Sequence, residues 1–123
     1  GNFYAEDGVL KERCFSWCLD NDCLFVDNPV QAGLSFQVDG DGNFPGIDKV
    51  EFTASSEEAT KQTLAVLLQF LELFPELKQA PYWITGESYA GNYCPWMAKA
   101  VLEHNEALKE RINLKGLSVG DPC

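Results

Sequence analysis

The sequence has a single histidine, His104, and a single methionine, Met97. One histidine cannot build a histidine-rich metal site, and the cysteines do not make up the difference. Cys14, Cys18 and Cys23 are spaced Cys-x3-Cys-x4-Cys, off the usual zinc pattern, and His104 is far from them in sequence. No metal and no other cofactor is expected. Positive charge is scarce too: 9 Lys and Arg stand against 19 Asp and Glu, a formal net charge of -10. Nucleic acid and anionic membrane surfaces repel such a chain, so neither is expected as a partner. No apolar run reaches the roughly 18 residues that a membrane span needs. There is no Asn-x-Ser/Thr sequon, and no internal repeat or low-complexity tract. An initiating methionine and a signal peptide are also absent, so the expectation is a processed chain or a fragment whose natural start lies upstream.

What is present is enough for one globular domain. Over 123 residues, 46% are hydrophobic and 12% aromatic, well above the range of disordered chains. The five cysteines are Cys14, Cys18, Cys23, Cys94 and Cys123, and an odd count leaves at least one without an internal partner. Two readings stay open: disulfides in a secretory or vacuolar protein, and buried free thiols. Disulfides are favoured, some of them to chain outside this sequence.

The pattern along the chain reads as alternating strands and helices. Residues 23–27, Cys-Leu-Phe-Val-Asp, form a short apolar run that stops at Asn28-Pro29, the mark of a buried strand and a loop. Residues 37–50 hold Pro45 and several glycines and read as an exposed loop. Ser55 followed by Glu58 makes a capping box. Behind it, Leu64, Leu67, Leu68, Leu71 and Phe74 recur at helical spacing, with Val66, Phe70 and Leu73 widening the face until Pro75 ends the helix. Residues 81–86 read as a second strand, Ser88 to His104 as a second helix and 114–119 as a third strand. This order predicts an α/β fold, a mainly parallel sheet with helices on both faces. Phe3-Tyr4, Val9-Leu10 and Cys14 to Trp17 are expected as hairpin strands at the sheet edge, with Asp7-Gly8 as a turn.

The sharpest local feature is Gly86-Glu87-Ser88-Tyr89-Ala90-Gly91. It fits Gly-x-Ser-x-Gly with Ala90 in the place of the second glycine. A strand that turns abruptly into a helix with serine at the apex tolerates only small neighbours. Such a turn exposes the hydroxyl at a helix N-terminus, where the Tyr89 backbone N–H can point at an oxyanion. The motif lies between a predicted strand and a predicted helix, where that chemistry needs it.

These residues, with Tyr93 and Pro95, resemble the nucleophile region of the serine carboxypeptidases. The resemblance continues through Leu24 to Pro29, Gly33 to Phe36, Phe70 to Leu77 and Lys115 to Pro122, and so covers nearly the whole chain. It implies an α/β-hydrolase fold, of which residues 1–123 are a central segment incomplete at both ends. It also implies exopeptidase action on peptide C-termini in a secreted, vacuolar or lysosomal setting. Ser88 is then the nucleophile, and Tyr89 supplies an oxyanion-hole N–H with its ring near the substrate. Glu87 belongs to the acid pair that recognises the terminal carboxylate. A protonated Glu donates a hydrogen bond to a carboxylate, whereas an ionised one repels it. The chain departs from the family at Asn2, usually proline; at Gln31, usually glycine; at Leu34, often aromatic; and at Cys94, often a small aliphatic.

A serine nucleophile needs a base, and His104 lies too far along the same predicted helix to reach Ser88. The partners Asp and His are expected later in the full chain, following the order Ser, Asp, His. The second carboxylate-binding acid is expected just before Gly1. Two weaker signals have plain readings. Asp39 to Asn43 resembles the start of a calcium loop, but Phe44 and Val50 replace its Gly and Glu, so a solvated turn is expected. Asp27, beside Asp20 and Asp22, is expected to cap a loop. The leading functional expectation is a serine carboxypeptidase segment that is inactive alone. The alternatives are an acyltransferase on the same fold and a non-catalytic binding or structural member.

Overall fold

The computed structural model describes residues 1–46, 49–108 and 111–123. Its ordered core is a strand–helix–strand unit with one helix in front. Helix α1 runs Ser56–Leu73. Ser55 caps it, its Oγ accepting the Glu58 amide at 3.1 Å. The Glu58 carboxylate reaches back to the Ala54 amide at 2.9 Å, one residue before the cap. Two otherwise orphaned donors are thus satisfied, as the Ser55/Glu58 spacing predicts. Pro75 follows the helix, and the last turn closes with the Phe74 amide on the Phe70 carbonyl at 2.9 Å.

Strand β3, Tyr82–Glu87, and strand β4, Leu114–Gly120, pair in parallel and are joined through helix α2, Ala90–Ala107. Parallel neighbours cannot be linked by a tight turn, so the crossover must carry a helix. Asn105 ties that helix to the return strand. Its amide side chain both donates to the Ile112 carbonyl and accepts from the Ile112 amide, each at 2.8 Å. Ile112 is buried, and the bidentate clasp satisfies backbone groups that would otherwise be costly to bury.

The core forms where α2 lies on the sheet. Leu67, Ile84, Cys94, Met97, Val101 and Ile112 are buried in one cluster, with Leu64, Leu68, Leu71, Tyr82, Leu114 and Val119 around it. Along β3 burial alternates: Ile84 points in, Trp83 and Thr85 point out. Helix α1 packs against α2 rather than on the strands. The described helices therefore lie on one side of the sheet, and the opposite face leaves Trp83 58% exposed. The segment thus shows one helical layer of the expected α/β/α arrangement. A right-handed crossover puts α2 on one face, and α1 is held to that face by its own partner, α2. The α1 face is also narrower than expected. Ala59, Thr60 and Leu67 are buried, whereas Val66, Leu73 and Phe74 are exposed.

The described residues among the first fifty-four form a different kind of structure. Strands β1, Phe3–Glu6, and β2, Val9–Glu12, make the expected hairpin. Asp7 and Gly8 both take positive φ, 50° and 75°, as a two-residue hairpin turn requires. This hairpin is its own two-stranded sheet and does not join β3 and β4. Cys14 to Trp17 is no strand. It leads into a single 3-10 turn, Trp17–Leu19, capped by Ser16. The expected strand over 23–27 is absent as well, and only Val26 of that run is even half-buried. A strand exists through ladder bonds to a neighbour, and among the described residues this run has none. A Cys18–Cys23 disulfide closes the segment just before it. Cys14 and Cys123 are exposed thiols and Cys94 is a buried one, so a disulfide and a buried free thiol are both present.

Local hydrogen bonds hold the loops. The Asp27 carboxylate accepts the Leu34 amide at 2.8 Å, the loop-capping role expected of it. The Asp39 carboxylate accepts the amides of Asp41 and Asn43 at 3.0 and 2.8 Å, which folds the glycine-rich turn. Gln31, where glycine is usual in the resembled family, sits at φ 78° in left-handed backbone. Its side-chain Nε2 is buried and, among the described residues, has no hydrogen-bond partner.

Candidate active site

Ser88 lies between the last residue of β3 and the first turn of α2. Its φ of 57° puts a non-glycine residue in the left-handed region, at a cost of order 1–3 kcal/mol. The surroundings hold it there. Its amide donates to the Gly120 carbonyl at 3.0 Å, extending the β3–β4 ladder by one residue. Its carbonyl accepts the amides of Gly91 at 2.8 Å and Cys123 at 3.2 Å. Both ends of the turn are thus pinned, one to β4 and one to the start of α2.

The small neighbours have specific steric reasons. A Cβ on Gly86 would lie 2.3 Å from the Ala90 Cβ and 2.9 Å from the Cys94 Sγ. Helix α2 could not then leave the strand at this angle. A Cβ on Gly91 would lie 2.6 Å from the Pro122 Cβ. That glycine lets the chain beyond β4 run close to the helix start. Small residues are therefore needed on both sides of the serine, one set for the helix exit and one for the segment beside it.

The result is an exposed serine at a helix N-terminus. Tyr89 occupies the N-cap position of α2, and its ring, 55% exposed, stands edge-on to Tyr93 with centroids 5.1 Å apart. Among the described residues, no acceptor takes the Tyr89 amide. Glu87 ends β3 on the exposed face. Three residues expected together are therefore adjacent and open to solvent. The helix itself begins two residues after Ser88 and continues past His104 to Ala107. His104 is half-buried in its last turn. At about 1.5 Å per residue it stands roughly 21 Å along the axis from Ala90, out of reach of the serine.

Three neighbours of the serine were not anticipated. The Cys123 Sγ is 3.7 Å from the Ser88 Oγ, and the Asn92 side chain donates to the Cys123 carbonyl at 3.1 Å. Pro122 fills the space over Gly91. A signal for them existed. Parallel strands end on the same side, so the residues after β4 must emerge beside those after β3. Beneath the site, burial pushes the Cys94 thiol above its ordinary value. Burial likewise raises the Tyr82 hydroxyl, with the nearby Cys94 adding to it. Both groups stay protonated and neutral at physiological pH, as an apolar floor requires.

The family model for serine carboxypeptidases matches residues 1–123. The venom serine carboxypeptidase of Apis mellifera is 38% identical over 117 residues, covering 95% of this chain and 23% of the relative. A probable serine carboxypeptidase of Homo sapiens is 34% identical over 113 residues, covering 92% of this chain and 22% of the relative. The crystal structure of a prohormone-processing carboxypeptidase from Saccharomyces cerevisiae superposes with a TM-score of 0.84 at 32% identity, covering 100% of this chain and 26% of that one. The chain thus spans about a quarter of the length of the proteins it matches.

Proposed function

The chain belongs to the serine carboxypeptidase family, with an α/β-hydrolase fold seen here in part, and from that premise we propose that residues 1–123 are the central, nucleophile-bearing segment of a single-domain carboxypeptidase. The complete protein releases C-terminal residues from peptides through an acyl-enzyme on Ser88. The observation that carries this reading is the left-handed Ser88 at the strand-to-helix apex, solvent-exposed and packed among glycines and alanine.

In this reading the Ser88 oxygen attacks the scissile carbonyl while a histidine elsewhere in the protein takes its proton, oriented by an aspartate. His104, at the far end of α2, is not that histidine, and the order Ser, Asp, His puts both partners later in the complete protein. The Tyr89 amide donates to the oxyanion that develops, favoured by its place at a helix N-terminus. The Tyr89 ring borders the residue before the scissile bond. Glu87 is one of the acids that hold the substrate's terminal carboxylate, its protonated form donating a hydrogen bond. The relatives named above are carboxypeptidases, which favours hydrolysis over acyl transfer. The Cys18–Cys23 disulfide supports a secretory-pathway protein, where oxidation persists.

The test is turnover of a blocked dipeptide by the full-length protein, together with labelling by a serine-directed fluorophosphonate. Wild type should cleave and label, and Ser88→Ala should do neither while keeping its circular dichroism spectrum. Labelling that persists in Ser88→Ala would overturn the assignment.

A further inference from the structure

We draw no further inference here: the strongest candidate, the exposed Cys123 thiol 3.7 Å from the Ser88 hydroxyl where the chain leaves β4, belongs to the site already described and is a lone cysteine with, among the described residues, no buried unpartnered polar side chain beside it to name a ligand.

Discussion

Strands β1 and β3 are similar in kind and opposite in fate. Both are short and open with aromatics, Phe-Tyr-Ala-Glu in one and Tyr-Trp-Ile-Thr-Gly-Glu in the other. Every residue of β1 is exposed, whereas β3 alternates and buries Ile84. The same contrast separates the two regions that hold them. Among the described residues, every residue buried as a whole lies between Ala59 and Ile112, and none in the first fifty-four. Phe15, Leu34 and Phe25 in the first region are 90%, 89% and 72% exposed. The lesson concerns what makes a strand into a core element. Alternation supplies a face, but a helix must lie on that face before burial stabilises anything. Helix α2 does this for β3, and nothing in the described structure does it for β1. The first region is held instead by a hairpin turn, a disulfide and side-chain-to-backbone bonds.

The largest expected effect is chemical and lies in the second region. In the full-length protein, Ser88→Ala should lower kcat/KM by roughly 10⁴ to 10⁶, the range for losing a nucleophile from a catalytic triad. His104→Ala should change it less than about threefold, since no plausible motion brings the far end of α2 to the serine. Steady-state kinetics of both variants would decide. An inactive but folded His104→Ala protein would break the assignment.

Core truncation tests the contrast directly. Met97, 4% exposed in the cluster, should cost about 2–5 kcal/mol when replaced by alanine. Leu10, 74% exposed on the hairpin, should cost less than about 0.5 kcal/mol when truncated in residues 1–123. Urea midpoints of the two variants give the ratio, and equal losses would mean that the hairpin is packed after all. Glycines sharpen the same point at a smaller scale. Gly86→Ala forces a methyl onto Ala90 and Cys94 and should cost about 1–3 kcal/mol, whereas Gly40→Ala, with open space around it, should be close to neutral. Thermal midpoints that fall equally would refute the steric account of the motif.

The first region also holds strain that can be relieved. Gln31→Gly, at φ 78°, should raise stability by about 1 kcal/mol, read as a higher denaturant midpoint. A loss would show that the glutamine side chain has a structural partner.

The smallest effect is on alkaline stability. Burial raises Cys94 above 9.0 and Tyr82 above 10.0, so the folded protein holds protons that the unfolded chain has begun to release. Their contribution is complete below about pH 9 and falls as pH rises toward the folded values. Midpoints measured from pH 7 to 11 should decline above pH 9, and Cys94→Ala should flatten the first part of that decline. An unchanged profile would remove Cys94 from the explanation.

Much of this was legible beforehand where the physics is local. The Ser55/Glu58 cap, the Asp7-Gly8 turn and the stop at Pro75 each depend on a few adjacent residues, and each is present. The Gly86 to Gly91 pattern located the strained serine for the same reason. The limits of α2 shifted by two or three residues, because a helix starts only after the turn has closed. The run 23–27 failed because a strand needs a neighbour, and no property of those five residues names one.

By itself, then, the sequence determined β1 and β2 with their turn, α1 with its cap, β3, α2 and β4, and the position of the serine. Those follow from periodicity, capping chemistry and steric size over spans of less than about twenty residues. Only the tertiary structure decided which apolar faces are covered and what stands beside Ser88. Both helices on one face, an open Trp83 and Cys123 next to the serine follow from how β3, α2 and β4 pack. Such contacts join residues some thirty-five positions apart. Side-chain type constrains them only once a backbone has brought the partners together.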